Sequence, residues 1–334
     1  MTRALAAVVE TEQADPSAEE GPVLDPSALY SMDASYDDPP LDAPVLVQAL
    51  DGFVDAGQAV RQARTHLLST LPHRRVATFD VDQLLDYRSR RPPLRFASTY
   101  WADYEQPELV LRAVTDPSGQ EFLLLSGPEP DVQWERFIAA VTQLVERLGV
   151  RLVVGLGAIP LGVPHTRPVG LTAHGTRSEL VRDFRPWFHD VQVPSSAGNL
   201  LEFRLGQAGH DAVGFAVHVP SYVAQMDFPA AAEVLLQQTG RLAGLALPTD
   251  ALATAATRVG QDVDRQVAAS TEISEVVRQL EKQYDAAVLD REKEVLADDP
   301  RELPSGDELG AELERFLAQQ HEADRDDDRG TQTG

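Results

Sequence analysis

DVQWERFIAAVTQLVERLGVRLVVGLG, residues 131–157, is the stretch on which the fold turns. Phe137, Ile138, Val141, Leu144, Val145 and Leu148 recur at three-and-four spacing, the signature of a helix with one buried face. Asp131 is expected to cap that helix, and Gly149 stands where a helix ends. Arg151–Leu156 is then a short continuous apolar run, which predicts a strand buried on both faces. A helix feeding such a strand is the repeating unit of an α/β protein.

The same grammar extends in both directions. Val45–Leu50 is a second buried strand, closed by Asp51-Gly52, and Gly57 to Leu71 reads as a helix stopped by Pro72. Arg75–Phe79 predicts another strand. Leu109–Val114 and Glu121–Leu125 predict a hairpin around Asp116-Pro117-Ser118-Gly119. Residues 88–107 read as irregular, as does the loop GAIPLGVPHTRPVGLTAHG that follows the 151–156 strand. A short helix is expected from Thr176, another over Asn199 to Gln207, a strand at Ala212–Val219 and a long helix from Phe228 to Leu245. Residues 44–248 therefore predict a three-layer α/β/α sandwich around a mixed, mostly parallel sheet. Beyond Pro248 the pattern is helical, and residues 249–320 are expected to form a C-terminal extension. Its stripes are Leu252, Ala255, Ala256, Val259, Val263 and Val267, then Ile273, Val276, Val277, Leu280, Tyr284 and Val288, then a helix opened by the capping box Ser305 to Glu308.

Charge separates the ends from the middle. The net charge is −24, yet residues 1–44 carry −9 and residues 291–334 carry −8, which leaves −7 for everything between. Segments 1–43 and 321–334 are too polar and acidic to offset their chain entropy and are expected to be disordered, with Leu24, Leu29, Tyr30 and Met32 available to dock. So negative a chain is expected to avoid nucleic acid and anionic membrane, whose affinity depends on Lys and Arg. No apolar run reaches the ~20 residues that span a bilayer. Cysteine is absent, which removes disulfides, thiolate nucleophiles and cysteine metal sites. A cytoplasmic location is the expectation.

Candidate sites follow from the sheet, because ligands of open α/β proteins gather outside the carboxyl ends of the strands. There the sequence places Asp51, Gly52, Asp55, Gly127, Pro128, Glu129, His165, Thr166, Arg167, His218 and Tyr222, a candidate groove. The plain alternative is a set of tight turns, for which Gly and Pro suffice. A second candidate is the loop with Arg88, Arg90, Arg91 and Arg95, flanked by Phe96, Tyr100, Trp101 and Tyr104. It suits a phosphate or an acidic segment, and its aromatics are the residues of binding hot spots. Set against this, it reads equally as a solvated loop. Neither a G-x-S-x-G elbow, a phosphate-binding lysine loop nor an H-x-x-x-H pair is present. Gly155-Leu156-Gly157 begins a dinucleotide fingerprint that Pro160 interrupts. No catalytic set, metal or cofactor is expected.

Six segments in order carry a resemblance: LVQALDGFVDAGQAV (46–60), FDVDQLLDYRSRRPPLRF (79–96), LLLSGPEPDVQWERF (123–137), GLGAIPLGVPHTRP (155–168), GFAVHVPSYVAQMDFPAAAEVLL (214–236) and LPSGDELGAELERFL (303–317). Together they resemble the proteasome-assembly-chaperone-2 family in its actinobacterial branch. The resemblance implies a phosphorylase/hydrolase-like α/β/α fold, action through protein–protein contact, and a homo-oligomer, with a trimer among the states to test. Two departures stand out. Proteasome-docking relatives end in a hydrophobic–tyrosine–any-residue tail, whereas the sequence here closes on Gln332-Thr333-Gly334, so docking in that mode is not expected. Ser221 stands where relatives carry histidine. The expectation is a protein-binding or assembly protein with proteasome-related partners. The alternative is a small-molecule enzyme, nucleoside- or carboxylate-directed and ligase- or phosphorylase-like, that uses the strand-end pocket.

Overall fold

Both the helix and the strand read from residues 131–157 are present in the structure, a computed structural model that describes residues 24–34, 36, 41–52, 54–187 and 190–294, the last five by backbone alone. In chain order the strands are β1 (Tyr30–Met32), β2 (Val45–Asp51), β3 (His73–Phe79), β4 (Leu94–Ala97), β5 (Tyr100–Tyr104), β6 (Val110–Thr115), β7 (Glu121–Pro128), β8 (Leu152–Leu161), β9 (Leu171–Gly175) and β10 (Ala212–Pro220). The helices are α1 (Ala59–Thr70), α2 (Trp134–Arg147), α3 (Ala197–Gln207), α4 (Pro229–Ala243), α5 (Asp250–Ala268) and α6 (Thr271–Glu294).

Eight strands form one mixed sheet in the order β1-β3-β6-β7-β2-β8-β10-β9. Its centre, β7-β2-β8-β10, is parallel throughout. The outer pairings, β1 with β3, β3 with β6, β6 with β7 and β9 with β10, are antiparallel. The apolar runs at 45–50 and 152–154 are central because only a strand covered on both faces can bury every side chain. One face packs against α1 and α4 through residues such as Val47, Leu67, Leu124, Phe215 and Leu235, and α5 adds Leu252 and Val263 to that cluster by packing on α4. The other packs against α2 and α3 through Leu46, Leu123, Phe137, Leu144 and Leu201. The result is a three-layer α/β/α sandwich with C-terminal helices.

The structure departs from the sequence reading in four places. Asp131 does not cap α2, which starts three residues later. Its carboxylate instead accepts the Asp86 N–H at 2.8 Å and pairs with Arg90 at 2.9 Å. The helix expected from Thr176 is a single 3₁₀ turn, Ser178–Leu180, and the stretch before it, read as loop, contains the second half of β8, out to Leu161, and the edge strand β9. Within residues 88–107, β4 and β5 pair as a two-stranded sheet of their own. Finally, Pro26–Leu29 and Tyr30–Met32, read as part of the disordered acidic segment, form a 3₁₀ turn and β1, with Leu29 fully buried and Leu24 exposed. The Ser305 capping box and residues 321–334 lie outside the described residues.

Candidate functional site

A cavity of about 340 Å³ opens beside the carboxyl ends of β2, β7 and β8. From β2 the chain runs through β3, β6 and β7 on one side of it and then crosses to β8 and β10 on the other, so the cavity lies at the point where the sheet order reverses. Its floor is backbone. Gly155 and Gly157 of β8 and Gly214 of β10 line it without side chains. Gln48, from the otherwise apolar stretch Val45–Leu50, lies against α3: a Cβ on Gly198 would come within 2.9 Å of its amide nitrogen. Leu50, Val54, Val60, Ile159, Val191 and Val193 supply much of the apolar wall.

The titratable groups of the cavity come from the end of β7, from β9 and from α3. Glu129 is 4% exposed and accepts the Ala197 N–H at 2.5 Å, at the positive end of the α3 dipole. His174 Nδ1 and Glu202 Oε1 are 2.8 Å apart. Burial opposes a charge on this imidazole, but the Glu202 hydrogen bond and carboxylate outweigh it, and the pKa is raised above its ordinary 6.5. The lining residues include no lysine or arginine.

The groove residues named from sequence separate into four groups. Gly52 and Glu129 line the cavity, and Gly127 and Pro128 lead into it at the end of β7. Gly127 is needed as glycine, since φ is +138° and a Cβ would meet the Glu108 carbonyl oxygen at 2.2 Å. Asp51 turns to Arg64 at 2.6 Å, while Asp55 accepts the Val60 and Arg61 N–H groups at 2.8 and 3.0 Å and so caps α1.

His165, Thr166, Arg167 and Tyr222 form a clasp on the C-terminal helices. His165 Nδ1 lies 2.6 Å from the Tyr222 hydroxyl, and its Nε2 lies 3.1 Å from Asp264 of α5. Burial, with Glu281 and Asp264 nearby, pushes the Tyr222 phenol up to about 12. Thr166 donates to Glu281, and Arg167 grips Asp285 of α6 with two 2.7 Å bonds. His218, fully buried in β10, lies 2.7 Å from the Thr172 hydroxyl and edge-on to Trp187 at 4.5 Å. Asp51, Glu129 and His218 thus meet Arg64, the Ala197 N–H and the Thr172 hydroxyl respectively. Among the described residues no three His, Asp or Glu are grouped to hold a metal ion.

The arginine loop leads into the β4–β5 arm. Arg90 pairs with Asp131, whereas Arg88, Arg91 and Arg95 are exposed. The arm presents Leu94, Phe96, Tyr100, Trp101 and Tyr104, each 46–64% exposed, and Phe96 meets Trp101 edge-on at 4.9 Å. Sequence reasoning missed Gln48, His174, Asn199 and Glu202. Of these only Gln48 carried a local signal, a lone amide inside a buried strand.

The geometry defines a class: a mixed-sheet α/β/α protein with a strand-end cavity, a helical extension and an aromatic arm. The match to known families narrows this, since residues 49–267 match the PAC2 family and the chain belongs to it. Among solved structures, a Mycobacterium tuberculosis protein of unknown function is 47% identical, with 86% of this chain and 96% of that one aligned and a TM-score of 0.76. A Corynebacterium glutamicum protein of unknown function is 40% identical over 78% of this chain and 98% of its own, with a TM-score of 0.74. A Mycobacterium tuberculosis proteasome-assembly chaperone homologue is 26% identical over 70% and 99%, with a TM-score of 0.65. No curated protein matches the chain. No described helix is long and apolar enough to cross a membrane.

Proposed function

We propose that this chain is a homo-oligomeric protein-binding protein of the assembly-chaperone kind, acting on a proteasome-related partner through the β4–β5 arm. The arm carries this reading. A two-stranded sheet is marginal in water by itself, and this one exposes five large apolar or aromatic side chains outside the main sheet. Clusters of that kind are uncommon on surfaces that only meet solvent. Arg88, Arg91 and Arg95 beside them supply cations for an acidic rim on the partner. The family assignment, with a proteasome-assembly chaperone homologue among the related structures, supports the choice of partner.

Light scattering behind size exclusion should give a mass that is a multiple of 36.5 kDa at micromolar concentration. Tagged full-length chain should enrich proteasome α subunits from cytosol of its own cells, and the double substitution Phe96→Ser with Trp101→Ser should remove that enrichment while the melting temperature is kept. A strict monomer, or equal recovery of the subunits by the arm variant, would count decisively against the proposal.

A further inference from the structure

The cavity at the strand ends is not used by the arm, and its construction points to a ligand of definite chemistry. We propose that it binds a small organic amine, positively charged at neutral pH and carried on an apolar ring or short chain.

Charge sets the sign of that ligand. Glu129 and Glu202 both line the cavity, and His174, the one residue there able to become cationic, is already held by Glu202 at 2.8 Å. A carboxylate or phosphate would enter beside the Glu129 carboxylate, with neither lysine nor arginine among the lining residues to receive it and with His174 already paired to Glu202. An ammonium group would instead meet the Glu129 carboxylate, whose charge offsets the positive end of α3. Glu129 is 4% exposed, in a setting where a paired charge interacts far more strongly than in water. The Ala197 N–H is met by Glu129, and the open volume lies beside that carboxylate.

Glycine keeps that volume open. At Gly157 the backbone makes no demand for glycine: a Cβ would sit 3.4 Å from the Phe215 carbonyl oxygen, an ordinary contact. Any larger side chain on that face of β8 would project into the cavity, so the residue preserves space rather than geometry. The volume, about 340 Å³, is at the small end of organic-ligand sites and matches one ring or a short chain. Leu50, Val60, Ile159 and Val193 offer the apolar contact, with the Gln48 and Asn199 amides available for orientation.

Isothermal titration of the full-length chain tests the proposal with three matched probes: phenethylamine, 2-phenylethanol and 3-phenylpropionate. Phenethylamine or hexylamine should saturate with a Kd of about 1 mM or tighter, the alcohol should bind at least about tenfold more weakly, and the acid should not bind. Glu129→Gln retains an oxygen for the Ala197 N–H but removes the charge, so it should weaken the amine at least about tenfold and leave the alcohol unchanged. Gly157→Leu should abolish both. Where Glu129→Gln fails to fold, Glu202→Gln gives the charge arm. Equal binding of the three probes overturns the proposal, as does amine binding indifferent to charge removal and to Gly157→Leu, or no saturable heat from either amine up to about 10 mM. The arm variant of the preceding section should bind amine as the parent does, which keeps the two proposals separately testable.

Discussion

At the start of α1, Asp55 receives two main-chain N–H groups that the helix cannot satisfy internally. Burial raises its pKa above 3.8, against the lowering effect of those same N–H groups. Asp55→Ala should therefore lower stability by about 1–2 kcal/mol in urea unfolding, the cost of an N-terminal cap and its unmet donors. His174 gives a residue-scale test with a pH sign. Its raised pKa means that the folded form binds the proton more tightly than the unfolded chain does. The resulting stability is complete below about 6.5 and disappears as pH rises through the folded value. Solvent screening keeps it small, because the side chain is 45% exposed. An NMR titration of the His174 ring should show a midpoint above that of free histidine, and Glu202→Gln should bring the midpoint down. An unchanged midpoint in the variant would mean that Glu202 is not the stabilising partner.

Elements differ in how far local sequence determines them. α2 was legible because Phe137, Ile138, Val141, Leu144 and Val145 repeat on one face, and all five are buried. β2, apart from Gln48, and the first half of β8 were legible because each is apolar without alternation, whereas β8 from Gly157 to Leu161 was read as loop. β9 was not, since Leu171–Gly175 has only a broken apolar pattern, and its ladder to β10 is supplied by residues some forty positions away. The β4–β5 arm was hidden for a related reason: its side chains are mostly exposed on both faces, so no alternation marks it. The cavity was half legible. Glu129 follows β7 directly, and Gly155 and Gly157 stood at the end of the apolar run read from sequence, though β8 continues past them to Leu161, whereas His174, Asn199 and Glu202 come together only once β9 and α3 are placed. α6 was legible as a helix, but not as one held largely by polar contacts. Ile273, Val276 and Leu289 remain exposed, while Arg167 holds Asp285, and Tyr284 reaches the Pro168 carbonyl at 3.1 Å. Arg167→Ala should accordingly raise amide hydrogen exchange across residues 275–290 and leave the central strands unaffected. Exchange spread evenly through the sheet would instead make the clasp part of the global fold.

On the scale of the whole molecule, charge and association pull in opposite directions. Each chain carries −24, so copies that assemble must come together against net repulsion. Two kinds of contact could overcome it, and salt separates them. If the uncovered Ile273, Val276 and Leu289 of α6 dominate, added salt screens the repulsion while leaving the apolar contact intact. If Arg88, Arg91 and Arg95 dominate by pairing with the acidic ends of a neighbour, the same salt removes the attraction. The exposed apolar residues on the described surface outnumber those three arginines, and salt-screened surface pairs contribute little each. Raising the ionic strength from about 0.01 M to about 1 M shortens the screening length from about 30 Å to about 3 Å. Light scattering across that range should show the oligomer holding or gaining mass at the high end. Dissociation there would transfer the interface from the exposed apolar side chains of α6 to the arginines.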